Sequence, residues 1–243
     1  MKRIVMAVVS LLVMAGAWAQ TVANLQSPDG RAKVTVSRGA DGMPQFVLNV
    51  DGTQVLNESR MGYRSGDDLV AGQAWTLGQV KKSSHKGVWK PIWGKRKEVK
   101  DVYNSIQLNF VNTQQQNVIL ELRAYNDGMA WHYTNHRGEA VWNEVSDLNF
   151  AGDYTAWYYN GERHNIGPEP LTRAQGERTP IMTIQVKQDL YLAVHEACLY
   201  QGKPLLLRSE AGSTRFNVVS EDTRMKEDAE AAVAISAAST ILF

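Results

Sequence analysis

The chain has 243 residues, 44% of them hydrophobic and 21% charged, and carries a formal net charge of +1. That balance gives no global attraction to nucleic acid or to an anionic membrane surface. A single cysteine, Cys198, excludes an intramolecular disulfide, so a protein of this length has to be held by its hydrophobic core.

The chain opens with Lys2 and Arg3, an apolar run over residues 4–17, and Ala17-Trp18-Ala19 before Gln20, the pattern of a cleaved export signal. The run is shorter than the roughly 20 apolar residues that span a bilayer, and no stop-transfer segment follows it. No cysteine lies close enough behind it to carry a lipid. Residues 1–19 are therefore expected to be a signal peptide, and the mature product to be periplasmic or extracellular, without a membrane partner.

From residue 20 onward the apolar positions alternate. Val34 and Val36, then Phe46, Leu48 and Val50, then Ile106, Leu108 and Phe110 follow a period of two, the signature of half-buried strands. Asp51-Gly52 marks a tight turn. Val118, Leu120, Leu122 and Ala124 lead into Asn126-Asp127-Gly128, after which Met129, Trp131 and Tyr133 resume the pattern, so a hairpin is expected there. A third hairpin is expected where Met182, Ile184 and Val186 are separated from Leu190, Leu192 and Val194 by Lys187-Gln188-Asp189. No strong amphipathic helix occurs between Gln20 and Arg215. Many short strands without helical crossovers predict an all-β fold, a large antiparallel sandwich over residues 20–219. Residues 220–226 are charged and residues 228–238 alanine-rich, which predicts a short helical or irregular tail over residues 220–243.

Three groups of residues are candidate sites. Trp89-Lys90-Pro91-Ile92-Trp93-Gly94-Lys95 places two indoles in a basic segment that also holds Lys81, Lys82, Lys86, Arg96, Lys97 and Lys100. Interleaved bases and rings suit single-stranded nucleic acid, but export and near-neutral charge argue against that partner. Indoles also suit sugars, whose apolar C–H faces lie on aromatic rings, and a third reading has both rings capping the core while the lysines solvate a loop. His164, in Tyr158-Tyr159-Asn160-Gly161-Glu162-Arg163-His164, belongs either to a groove wall or to an ordinary exposed loop. His132 and His136 have no third ligand near them for zinc. Glu196 closes an alternating strand, where calcium, a lysine or arginine, or a neighbouring hydroxyl could each satisfy it; one carboxylate is far short of calcium's six to eight oxygens, which favours a structural ion pair. Asn57-Glu58-Ser59 matches a glycosylation acceptor, a pattern too short to carry weight.

Ser27-Pro28-Asp29-Gly30, Trp89-Lys90-Pro91-Ile92-Trp93-Gly94, Tyr103-Asn104, Arg123-Ala124-Tyr125-Asn126-Asp127-Gly128, Phe150-Ala151-Gly152-Asp153 and His195-Glu196-Ala197, in that order and spacing, resemble the N-terminal domain of glycoside hydrolase family 97. The resemblance runs from about Ser27 to about Val219. It implies a β-super-sandwich of the galactose-mutarotase-like kind that packs on a (β/α)8 catalytic barrel in exported α-glucosidases and α-galactosidases. It also implies that Glu196 is one ligand of a calcium ion whose other ligands come from the barrel. The catalytic carboxylates of the family likewise lie in the barrel, so the resemblance assigns no catalytic residue here and implies no turnover by this chain alone. The expected function is recognition of an α-linked oligosaccharide, through Trp89, Trp93 and His164, beside a catalytic barrel. The alternative is a structural or interaction fragment of a truncated or frameshifted hydrolase gene.

Overall fold

The computed structural model describes residues 20–136, 140–159, 165–174, 176–198, 204, 206–219, 223–225 and 230–238. In chain order the strands are β1 (Gln20–Gln26), β2 (Ala32–Arg38), β3 (Pro44–Val50), β4 (Thr53–Arg60), β5 (Tyr63–Ser65), β6 (Asp68–Val70), β7 (Trp75–Trp89), β8 (Val99–Asn112), β9 (Asn117–Tyr125) and β10 (Gly128–His136). They continue as β11 (Ala140–Glu144), β12 (Asp147–Asn149), β13 (Thr155–Tyr159), β14 (Ile166–Pro170), β15 (Gly176–Lys187), β16 (Leu190–Cys198), β17 (Leu206–Ser209), β18 (Arg215–Val219), β19 (Thr223–Met225) and β20 (Glu230–Ala238). A 3-10 turn, Leu171–Arg173, is the one helical element among the described residues.

These strands form three antiparallel sheets. A meander β1-β2-β3-β4 makes the small sheet, and a large sheet runs β12-β18-β17-β15-β16-β20-β10-β9-β8-β7, with β13 and β14 branching from β15. A third sheet has the order β19-β11-β5-β6. Alternation decides what lies between the layers. Val34, Val36, Phe46 and Leu48 from the small sheet and Ile106, Leu108, Phe110, Leu120, Leu122 and Trp131 from the large one are all buried in a single core. Phe46 and Trp131 meet across it with ring centroids 5.3 Å apart. Nearby, Tyr63 packs edge-on against Tyr133 at 5.5 Å and tilted against Trp142 at 5.2 Å, and the Tyr133 hydroxyl donates to the Met61 carbonyl at 3.0 Å.

The three expected hairpins are present. Asp51 and Gly52 both have positive φ, 50° and 76°, as a two-residue turn of the mirror-image type requires between β3 and β4. Tyr125 pairs with Gly128, and Lys187 pairs with Leu190. Gly42 (φ +77°) is needed for a further reason: a Cβ there would sit 2.5 Å from the Gln73 backbone nitrogen. The Gly42 carbonyl accepts from Arg38 Nε at 2.7 Å, while Arg38 Nη2 donates to the carbonyls of Gly72 and Trp75. One guanidinium thus ties the small sheet to the start of β7.

Two sequence expectations are corrected. Residues 230–238 form β20, not a helix or frayed end, and this strand lies inside the large sheet between β16 and β10. Met129, Trp131 and Tyr133 of β10 pair with Ile235, Val233 and Ala231, while Val194 and His195 of β16 pair with Ile235 and Ala234. Alanine's helix preference is below about 1 kcal/mol per residue, and pairing on both edges overrides it. Residues 81–89, read as part of a basic loop, belong to the long strand β7. As the sheet's outermost strand, β7 is exposed from Lys81 to Lys86, and the Lys-Lys-Ser-Ser-His-Lys stretch carries no alternation because no face of it is buried.

A buried charge network fastens the end of the sandwich. Asp147, fully buried, accepts from the backbone N–H and Nε of Arg60 (3.0 and 2.9 Å) and from Nη1 of Arg215 (2.9 Å). Three segments far apart in sequence converge on this carboxylate, which has enough donors to offset its desolvation.

Candidate functional site

The feature that departs most from the compact sandwich is the arm formed by β7 and β8. Their pairing runs from Trp75↔Asn112 to Trp89↔Val99, so the arm reaches well past the ends of the neighbouring strands. Residues 90–98 close it. At this apex Trp89 is 53% exposed, Trp93 87% and Ile92 100%, with Val88 also open. The two indoles therefore do not cap the core, as one reading of the sequence had it. The Lys90 ammonium lies 3.3 Å from the Glu98 carboxylate across the apex.

Below the apex, a groove of about 1100 Å3 lies between the arm and the turns that precede β2 and β10. Lys86, Val88, Lys100 and Val102 line it from the arm, Asp29 and Arg31 from the turn before β2, and Tyr125, Asn126 and Asp127 from the turn before β10. Trp89 and Trp93 are not among its lining residues; they stand beyond it. The walls are fastened to one another. The Asp29 N–H donates to Asn126 Oδ1 at 3.0 Å, and Asn104 Nδ2 donates to the Gln26 carbonyl at 2.8 Å. Ser27 Oγ and the Arg31 N–H donate to Asp29 Oδ1 at 2.6 and 3.1 Å. Arg31 forks onto Asp51 through Nε (2.8 Å) and Nη2 (2.6 Å), and this contact holds the Asp51 carboxyl below its usual range.

An aromatic ladder crosses β7, β8 and β9 at the base of the arm. His85 stacks on Tyr103 with centroids 5.0 Å apart, and Tyr103 meets Tyr125 at the same separation. The Arg123 guanidinium lies 4.8 Å over the Tyr103 ring and forks onto Glu121 at 3.1 and 3.0 Å. His132 Nε2 stands 3.5 Å from Glu121 Oε2. Burial pushes the Glu121 carboxyl up, but Arg123 and His132 pull it further down, so it stays ionised and anchored. His132 thus lies beside the Arg123–Glu121 ion pair.

The remaining sequence candidates are placed less fully. His164 lies outside the described residues. The backbone of Glu196 is in β16 opposite Val233, next to a register shift before Cys198, and its side chain is outside the described residues. Among the described residues no group of three or more His, Cys, Asp or Glu side chains converges. Those residues alone do not supply the six to eight oxygens of a calcium site. Of the lining residues, Lys86 and Lys100 belong to the basic segment singled out in the sequence, whereas Arg31 and Asp127 were not tied to it as one site. An arm and two turns distant in the chain bring them together, and no local pattern announces that meeting.

Comparison with known proteins agrees with this architecture. Residues 25–235 match the family model described as "Glycosyl-hydrolase 97 N-terminal", a span that passes the expected domain boundary at residue 219 and takes in much of β20. A retaining alpha-galactosidase of Bacteroides thetaiotaomicron is 24% identical over 237 residues, covering 89% of this chain and 35% of that protein. A glycoside hydrolase family 97 enzyme from Pseudoalteromonas sp. strain K8, solved in complex with acarbose, superposes with a TM-score of 0.77 at 17% identity, covering 90% of this chain and 36% of that one. A beta-arabinopyranosidase structure gives 0.76 at 13% identity over 89% of this chain and 40% of its own. The chain spans about a third of the length of the relatives it matches.

Proposed function

Because the chain belongs to glycoside hydrolase family 97, as an N-terminal domain of that family, we propose that it is the carbohydrate-facing sandwich of an exported α-glycosidase and works beside a catalytic domain. The observation that carries this reading is the β7–β8 arm, which holds Trp89 and Trp93 in solvent at its apex. Indoles left open in this way are costly unless a ligand covers them, and the apolar face of a pyranose fits a ring while its hydroxyls reach lysine and carboxylate groups at the rim. An α-linked oligosaccharide is the proposed ligand, with His164 a further contact.

The reading assigns hydrolysis to the catalytic domain, since cleavage needs two carboxyl groups across the scissile bond and this chain supplies positioning alone. Glu196 is proposed to give one oxygen ligand to a calcium ion completed by that domain. In a mixture with a family 97 catalytic domain, Glu196→Gln should reduce the calcium dependence of aryl α-glucoside hydrolysis, and an unchanged dependence would remove the metal role.

Titration calorimetry with maltooligosaccharides tests the sugar assignment. We expect millimolar-range binding that is lost in Trp89→Ala and Trp93→Ala, with stability within about 0.5 kcal/mol of the parent for Trp93→Ala because that ring is almost wholly exposed. The absence of heat with every α-glucoside and α-galactoside would leave the arm as a docking element for the catalytic domain.

A further inference from the structure

We infer that the groove beneath the arm is a second carbohydrate subsite, separate from the apical indoles, and that it takes an oligosaccharide bearing carboxylate or sulfate groups. The inference rests on the sugar-binding reading above and adds the charge of the ligand to it. Of the groove's carboxylates, Glu98 is held by Lys90 at 3.3 Å, and Asp29 accepts from Ser27 Oγ and the Arg31 N–H through Oδ1, neutral donors that leave its charge in place. Arg31 is spent on Asp51. What remains is Lys86, Arg96 and Lys100 against Asp29 and Asp127, an excess of one positive charge, and among the described residues none of these three cations has a carboxylate within ion-pair distance.

Strand register fixes where two of these cations stand. Lys86 pairs with Val102 and Val88 with Lys100, so the two lysines share one face of the arm as diagonal neighbours, about 7–8 Å apart at Cα. Val88 and Val102 lie between them as an apolar strip, and Tyr125 and Asn126 face them from the turn before β10. A cationic pair, an apolar strip, a phenol ring and a side-chain amide match an acidic sugar: anionic substituent, C–H face and hydroxyls each have a counterpart. The volume, about 1100 Å3, is at the upper end of small-molecule sites and suits several linked rings rather than one. An acidic protein segment would find the cations too, but Tyr125 and Asn126 favour the saccharide.

The experiment compares, by calorimetry on the whole chain, a galacturonate oligomer, a neutral maltooligosaccharide of equal length and poly-glutamate, against the parent, Lys86→Gln/Lys100→Gln and Trp93→Ala. The inference expects the galacturonate oligomer to bind about tenfold more tightly than the neutral sugar, to weaken about tenfold between low and high salt, and to lose this advantage in the double lysine variant but not in Trp93→Ala. Neutral binding that equals the acidic and is untouched by the lysine changes would overturn the inference while leaving the sugar-binding reading intact. Poly-glutamate binding as tightly as galacturonate would overturn the saccharide assignment in favour of an acidic protein surface. No binding of either sugar would overturn both readings. Circular dichroism of each variant shows that the sheet is intact, and Lys100→Arg, which keeps the charge, should retain binding.

Discussion

Glu144 is the residue whose chemistry most clearly couples to the stability of the whole fold. It lies beside Tyr63 and Ser146, and burial pushes its carboxyl up to about 7 against the hydrogen bonds from Ser146 and Tyr63 that pull it down. Between the ordinary value near 4.5 and about 7 the folded protein holds a proton that the unfolded chain has released. Stability from this group therefore falls as pH rises through that window, and the cost of the buried charge persists above it. Glu144→Gln is expected to match the parent near pH 4.5 and to exceed it by about 2 kcal/mol at pH 8, measured by urea unfolding; equal stability at both pH values would mean that the site is well solvated. Replacement of Asp147 by Ala removes the acceptor shared by Arg60 and Arg215, whose guanidinium groups keep partial access to water, and a loss of about 1–3 kcal/mol is expected from thermal or urea unfolding. Neither residue was legible in the sequence, because each depends on a partner far away in the chain: Tyr63 for Glu144, and Arg60, 87 residues away, for Asp147.

At the scale of elements, strands with one buried face declare themselves and strands without one do not. β2, β3, β8, β9, β10 and β16 were readable because each presents alternate residues to the core, as in Val118, Leu120 and Leu122 of β9. β7 was hidden by its exposure, and β20 by alanines whose placement is set by β10 and β16. The candidate site followed the same division. Trp89 and Trp93 stood out as residue types, whereas the groove depends on register and on contacts between turns. Ala234→Pro tests the central position of β20. Ala234 pairs with both Ala130 and His195, and a proline there removes a ladder hydrogen bond and strains the strand. Loss of a cooperative unfolding transition is expected, whereas a tail loosely attached to the sandwich would tolerate the change.

For the molecule as a whole, the near-neutral net charge conceals an uneven distribution. Residues 81–100 carry eight lysines and arginines and one carboxylate, Glu98. Hydrogen exchange should divide the molecule along the same line. Amides on the outer edge of β7 from Lys81 to Lys86 should exchange fastest among the strands, and those of β9 and β10, each flanked by strands on both sides, slowest. Uniform protection along β7 would show that the arm is covered in solution.

The position of β20 also bears on how the protein is made. β10 is complete by residue 136 and β16 by residue 198, but the slot between them is filled only by residues 230–238, so the two parts of the large sheet stay unjoined until β20 is made. Sequence separations of this size make folding slow and leave two unpaired strand edges open meanwhile. Ribosome-bound chains halted before residue 230 should therefore be digested readily by protease, and chains that have released residue 238 should resist. Completion of the large sheet by β20 is expected to act as a checkpoint: the sandwich gains its protected state only after residues 230–238 have emerged.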